Sequence, residues 1–256
     1  MPENHLGNVA PRCLRGLLQT QKVEFLNTDN IEPNDSWLTH QWIVAGIVAA
    51  AARFIPLPFM DDVVRDQCRR FVVSRTLAAH PTSGTTLADL TPYYSDSSGC
   101  ATGCLGMLAK APLKLLLFPI RKIVVVVTSI RGVPLEMTRT ILLGRTLQRQ
   151  LASGPIDPQR AKRMRLAFDE AFALMDFRAI QAALSDAMRG VADWKGAAIK
   201  AARKLASSSR QQSATDIRTT APVDQSADRV QNVLQQPETI KLFAEFDARF
   251  DRAYRA

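Results

Sequence analysis

The sequence predicts an all-α protein, a helical bundle, on three observations. Ala, Leu, Val and Ile supply most of the apolar residues, and aromatics make up only 7% of the chain. That mixture favours helices over an aromatic-rich β-sandwich. Apolar residues recur at spacings of three and four through most of the chain, the period of an amphipathic helix. Helix-start signals stand where those stripes begin, clearest at Asp157-Pro158, where an N-cap precedes a proline at the first helical position.

Residues 1–36 read as a polar lead-in closed by Asn27-Thr28-Asp29-Asn30 and Pro33-Asn34-Asp35, with Ser36 as an N-cap. The helix that follows carries an unbroken apolar run from Trp42 to Ala52, interrupted by Arg53. Pro56 and Pro58 turn the chain, because proline cannot sit inside a helix without removing a hydrogen bond. Asp61-Asp62 restart it, with Val63, Val64, Cys68, Phe71, Val72 and Leu77 on one face and Arg65, Asp66, Arg69, Arg70 and Arg75 on the other. The unit is an apolar helical hairpin. Residues 80–99 carry turn clusters and read as a loop.

A second apolar element spans Cys104 to about Ile130, with Pro119 as a kink; the β-branched run Ile123–Val127 leaves strand as the competing assignment. Gly132-Val133-Pro134 predicts a break before a further helix from Leu135 to Leu151. Helices then run from Pro158 to about Ala206 with a break near Gly190. Phe168, Phe172, Leu174 and Met175 are the apolar stripe of the first part and Trp194, Ala198, Ala201 and Leu205 that of the second, with Lys195, Lys200, Arg203 and Lys204 on the far face of the last. Together, residues 37–206 are expected to form the bundle. Residues 207–230 read as a flexible linker rich in Ser, Gln, Thr, Asp and Ala. Residues 231–256 read as an amphipathic C-terminal helix, with Phe243, Phe246, Phe250 and Tyr254 at spacings of three and four.

The formal net charge of +9 points to an anionic partner. Between Cys100 and Gln150 the cations are Lys110, Lys114, Arg121, Lys122, Arg131, Arg139, Arg145 and Arg149, against one anion, Glu136. A bilayer-spanning helix needs about 20 apolar residues. The first apolar run, before Arg53, is too short for that, so the hairpin either forms a bundle core or dips into one leaflet with Trp37 and Trp42 at the interface and Arg53 reaching back to water. Basic residues beside an apolar helix are what an anionic bilayer surface attracts. These considerations select Trp42, Arg53, Lys114, Arg121, Lys122 and Arg131 as the membrane or anion contact. The leading reading is a non-enzymatic peripheral or monotopic membrane protein, a scaffold or accessory factor. The alternative is a soluble adaptor whose tail docks a protein partner through Phe243, Phe246, Phe250 and Tyr254.

No chemistry-bearing motif appears. His5, His40 and His80 have no nucleophile or ligand set around them, and no glycine pattern fits a phosphate loop. Cys100 and Cys104 form CxxxC, not the CxxC of metal or redox sites, and Asp61, Asp62 and Asp66 are matched by neighbouring arginines. No catalytic residue, cofactor or metal is therefore expected, and nucleic acid is a disfavoured partner for want of a recognisable module. Four scattered cysteines and a polar N-terminus without an apolar run suggest a reducing, cytoplasmic setting, at the inner face of the membrane in the leading reading.

The small-residue apolar helix, Ile55-Pro56-Leu57-Pro58-Phe59 and Asp61-Asp62 together resemble the helical hairpins of bacterial membrane-associated proteins of the EcsC-like kind, and domains that accompany small GTPases. The resemblance covers about thirty residues. It implies a helical fold close to a membrane and transfers no functional residue.

Overall fold

The computed structural model describes residues 33–56, 60–95, 118–207 and 216–256, with side chains from 35 onward in the first stretch and from 132 onward in the third. Among these residues all regular structure is helical: α1 (Pro33–Ala51), a 3-10 turn (Ala52–Phe54), α2 (Met60–Ala79), a second 3-10 turn (Pro81–Ser83), α3 (Thr91–Tyr94), α4 (Phe118–Ala152), α5 (Pro158–Ala173), α6 (Arg178–Arg189), α7 (Trp194–Ser207), α8 (Ala221–Leu234) and α9 (Pro237–Arg255). The all-α bundle expected from the sequence is the fold observed.

The apolar run of α1 explains the arrangement. A helix that is apolar all round must be covered all round, and every residue from Trp42 to Ala52 is buried. Its covers are α2, α4, α7 and α8. Small residues let these helices approach closely. A Cβ on Gly46 would lie 3.0 Å from Met137 Cγ and 3.1 Å from Met137 Cα, so this glycine sets the contact of α1 with α4. Gly144 performs the reciprocal service for Trp42, whose indole ring fills the space a Cβ would need. The Trp42 indole N–H donates to Thr76 Oγ1 at 3.0 Å, and the Thr76 hydroxyl donates to the Val72 carbonyl at 2.8 Å.

A second packing centre forms around Phe168 on α5, ringed by Tyr93, Phe172 and Phe246 with centroid distances of 6.4, 5.9 and 5.4 Å. Asp157 caps α5 as its sequence suggests, accepting from the Arg160 backbone N–H at 2.7 Å. The 80–99 stretch does more than turn the chain. Within it, Leu90 and Tyr93 are buried and the Tyr93 hydroxyl donates to the Leu143 carbonyl at 3.0 Å, so α3 plugs the space between α4 and α5.

Several sequence expectations require correction. Leu174, expected in the apolar stripe, is 61% exposed at the end of α5. The break at Gly132-Val133-Pro134 does not occur: α4 runs through it, with Pro134 inside the helix. Proline deletes one backbone donor, but Val133 and Met137 are buried against the bundle, and the Thr138 hydroxyl donates to the Pro134 carbonyl at 2.8 Å. Packing on both sides of the proline outweighs the local signal. Pro119 falls in the first turn of α4, where its missing N–H has no intrahelical partner to lose, and the run Ile123–Val127 is helical. The linker expected over 207–230 is also too long, because α8 begins at Ala221. Its buried Val223, Ala227, Val230 and Leu234 make a stripe at helical spacing. The stripe is built of small side chains, and it resembles linker composition until α1 is laid against it.

Candidate functional site: a basic face on helix α7

Helix α7 has two unlike sides. Trp194, Ala198, Ala202 and Leu205 are buried at spacings of four, four and three. They seat the helix on α1, α2, α8 and the 3-10 turn Ala52–Phe54. Lys195, Lys200, Arg203 and Lys204 are exposed, and residues 194–207 contain no carboxylate. The Lys195 ammonium stands 5.8 Å from the Trp194 ring centroid. Alanine makes this possible: Ala198 and Ala202 let α7 lie close to α1 while its lysine and arginine side chains are exposed.

The neighbouring turn carries Arg53. Its guanidinium lies on the backbone of Gly132, where a Cβ would come within 1.7 Å of a terminal nitrogen. Burial lowers the Arg53 pKa, and Glu136 opposes that shift. Glu136 is a shared counter-charge. It stands 3.7 Å from Arg69, with both side chains nearly buried. For Arg65, burial alone would lower the pKa, but Glu136, Asp61 and Asp62 together raise it. Arg65 contacts Asp61 at 2.8 Å and Asp62 at 3.2 Å, so these two carboxylates are engaged in ion pairs. Gly132, under Arg53, is the point from which α4 continues back to Phe118 through the apolar, cation-bearing stretch 118–131. Helix α7 packs on the turn that carries Arg53, and Arg53 lies on Gly132, so α7 and the base of that stretch neighbour the same turn.

The other selected residues fall elsewhere. Trp42 is only 3% exposed and hydrogen-bonded in the core, so it is not an interface residue; the apolar run it belongs to is consumed by the bundle. Lys114 lies outside the described residues, as do Cys100 and Cys104. Arg121, Lys122 and Arg131 lie on α4, with side chains outside the described set. Arg139, Arg145 and Arg149, part of the same basic stretch of sequence, are not free cations. Arg139 pairs with Asp169, Arg145 with Asp247 at 2.8 Å, and Arg149 with Asp247 and Asp251 at 3.0 and 2.9 Å.

The aromatic face of the C-terminal helix is likewise turned inward. Phe243, Phe246 and Phe250 are buried, and Tyr254 stacks on Phe250 at 5.6 Å while its hydroxyl accepts from Arg160 Nε at 3.2 Å. A stripe that looked ready for a partner is satisfied by α5 of the same chain, because Phe168 supplies the matching aromatic surface. The sequence did register the cations of α7. The stronger signal, fourteen residues without one carboxylate, went unused.

No protein family, curated protein or solved structure matches this chain. Its chemistry must be read from its own residues. Among the described residues no group of three His, Cys, Asp or Glu side chains could hold a metal ion. Cys68 is fully buried, and burial followed by the charge of Glu136 pushes its thiol pKa up, away from the thiolate form. No helix among the described residues is long and apolar enough to cross a membrane. What the α7 end can do is attract an extended anionic surface, each Lys or Arg adding about 1 kcal/mol near such a surface.

Proposed function

We propose that this protein is a non-enzymatic helical bundle that associates peripherally with anionic membrane surfaces, at the cytoplasmic leaflet where anionic lipid is concentrated. The observation that carries the reading is the exposed basic face of α7, a helix with no carboxylate of its own that packs on the turn bearing Arg53. The apolar hairpin is not the inserting part, because the bundle buries it. The stretch containing Arg121, Lys122 and Arg131 supplies apolar residues to follow the electrostatic approach, the combination found in interfacial helices. The adaptor reading loses its proposed contact, since the aromatic face of α9 is occupied.

The test is co-sedimentation with phosphatidylserine-containing and with pure phosphatidylcholine vesicles, at low and high salt. Lys195→Gln, Lys200→Gln and Arg203→Gln together remove three cations, about 3 kcal/mol or more than a hundredfold in partitioning onto the anionic vesicles. Arg121→Glu with Lys122→Glu is expected to release the protein as well, with its helical circular dichroism unchanged. Equal binding to both vesicle types, or anionic binding untouched by the α7 variant, would sink the proposal.

A further inference from the structure

The opposite end of α1 carries a different feature. Helices α1 and α8 pack there in antiparallel fashion: Ser36 meets Gln231, whose side-chain amide donates to the serine hydroxyl at 2.7 Å, and His40 meets Asp228 and Asp224. Between them lies an open groove of about 470 Å³, lined by Ser36, Trp37 and His40 from α1 and by Asp228, Gln231, Asn232 and the C-capping Gln235 of α8. The α8 residues stand at i, i+3, i+4 and i+7, so they form one continuous polar stripe. The volume falls within the range of small-molecule sites, roughly 300–1,000 Å³.

Some of these groups are already satisfied by the fold, and others are not. Asp224 accepts from the Thr219 hydroxyl at 2.6 Å, and Asp228 faces His40 Nδ1 at 3.4 Å. The carboxylates thus have structural partners. By contrast, the amides of Asn232 and Gln235 are exposed, and the Trp37 indole lines the groove beside them. Trp37 is 45% exposed, the most open aromatic side chain among the described residues, and the Arg75 guanidinium stands 5.8 Å from its ring centroid. A cation is therefore already in place against the ring. What remains is an indole surface and amides that both donate and accept. That set matches a ligand whose groups also do both, on a ring with an apolar face.

We propose that the α1–α8 groove binds a small polyhydroxylated ligand, a mono- or disaccharide, with a sugar ring on Trp37 and hydroxyls on the amides of Asn232 and Gln235. The proposal is independent of membrane association, which uses the other end of α1. Trp42 and Trp194 are buried, so Trp37 is the indole that reports on the groove. The experiment titrates the whole protein with glucose, N-acetylglucosamine and maltose, and separately with putrescine, while following tryptophan emission. At least one sugar is expected to give a saturable change that is lost in Trp37→Phe. In Asn232→Ala/Gln235→Ala it weakens by roughly tenfold or more, with helicity retained because both side chains are exposed. Three results would each overturn the assignment: no saturable response to any of the three sugars, an undiminished response in the double variant, or saturation by putrescine alone.

Discussion

Gly144→Ala sets two physical effects against each other, and the structure decides which wins. In the interior of α4 the substitution removes the helix penalty of glycine, a gain of up to about 1 kcal/mol. The new methyl would lie 2.6 to 2.7 Å from Cδ2, Cε2 and Nε1 of Trp42, whereas non-bonded carbon atoms rest at about 3.5–4.0 Å. The ring must therefore retreat by about 1 Å, and forcing a packed core in this way costs about 1–3 kcal/mol. Trp42 has little room to do so, being buried and held to Thr76 at 3.0 Å. If that hydrogen bond breaks, a buried donor is left unpaired at a further cost of about 1–3 kcal/mol. With that bond lost the balance is a net loss of about 1–5 kcal/mol, centred near 3, or roughly 6–12 °C in Tm at about 2–4 °C per kcal/mol for a domain of this size. Gly196→Ala is the control. It also lies inside a helix, but a Cβ there meets nothing within 4 Å, so this variant is expected to gain up to about 1 kcal/mol. Urea unfolding followed by circular dichroism measures both. A Gly144→Ala protein as stable as the parent would refute the packing of Trp42 against α4.

Thr76→Val keeps the shape of the side chain but strips the acceptor from the Trp42 N–H, and is expected to lower unfolding free energy by about 1–3 kcal/mol, with Thr76→Ser recovering much of it. Asp157→Ala should cost about 1 kcal/mol through loss of the α5 N-cap, and Asp157→Asn much less, by the same denaturation assay. Phe246→Ala removes a fully buried ring from the Phe168 cluster, a loss of about 3–5 kcal/mol; amide exchange should accelerate most over residues 237–255, and protection there equal to the parent's would count against the docking of α9. Cys68 should resist iodoacetamide in the folded protein at mildly alkaline pH, since burial and Glu136 hold it as a thiol, and react only after denaturant is added, as read by peptide mass spectrometry.

Elements whose signals were local could be read from the sequence. The Asp157 cap and the restart at Asp61-Asp62 depend on residues a few positions apart, and each appears in the fold. Where the sequence misled, a distant partner had changed the balance. Pro134 continues a helix because Val133 and Met137 are buried beside it; residues 221–230 are helical because α1 accepts a stripe of small side chains. Trp42 illustrates the same limit at the candidate site. Its position beside an apolar run suits a bilayer interface as well as a core, and only Thr76, thirty-four residues away, distinguishes them. The α1–α8 groove had no sequence signature, since Trp37 and Asn232 come together only through antiparallel packing.

The central position of α1 has a consequence for synthesis. Its last cover, α8, stands far along the chain: Ser36 and Gln231 are bonded across 195 positions. At about 5–20 residues per second, that distance takes roughly 10–40 s to translate. Throughout that interval α1 can recruit α2 and then α4, yet one flank of its apolar surface has no native neighbour to close it. A nascent chain in this state presents the ribosome's surroundings with an oily helix that resembles an export signal more than a finished domain. Holdase chaperones that bind exposed apolar segments are accordingly expected to engage this protein until α8 emerges, and to release it once that helix docks.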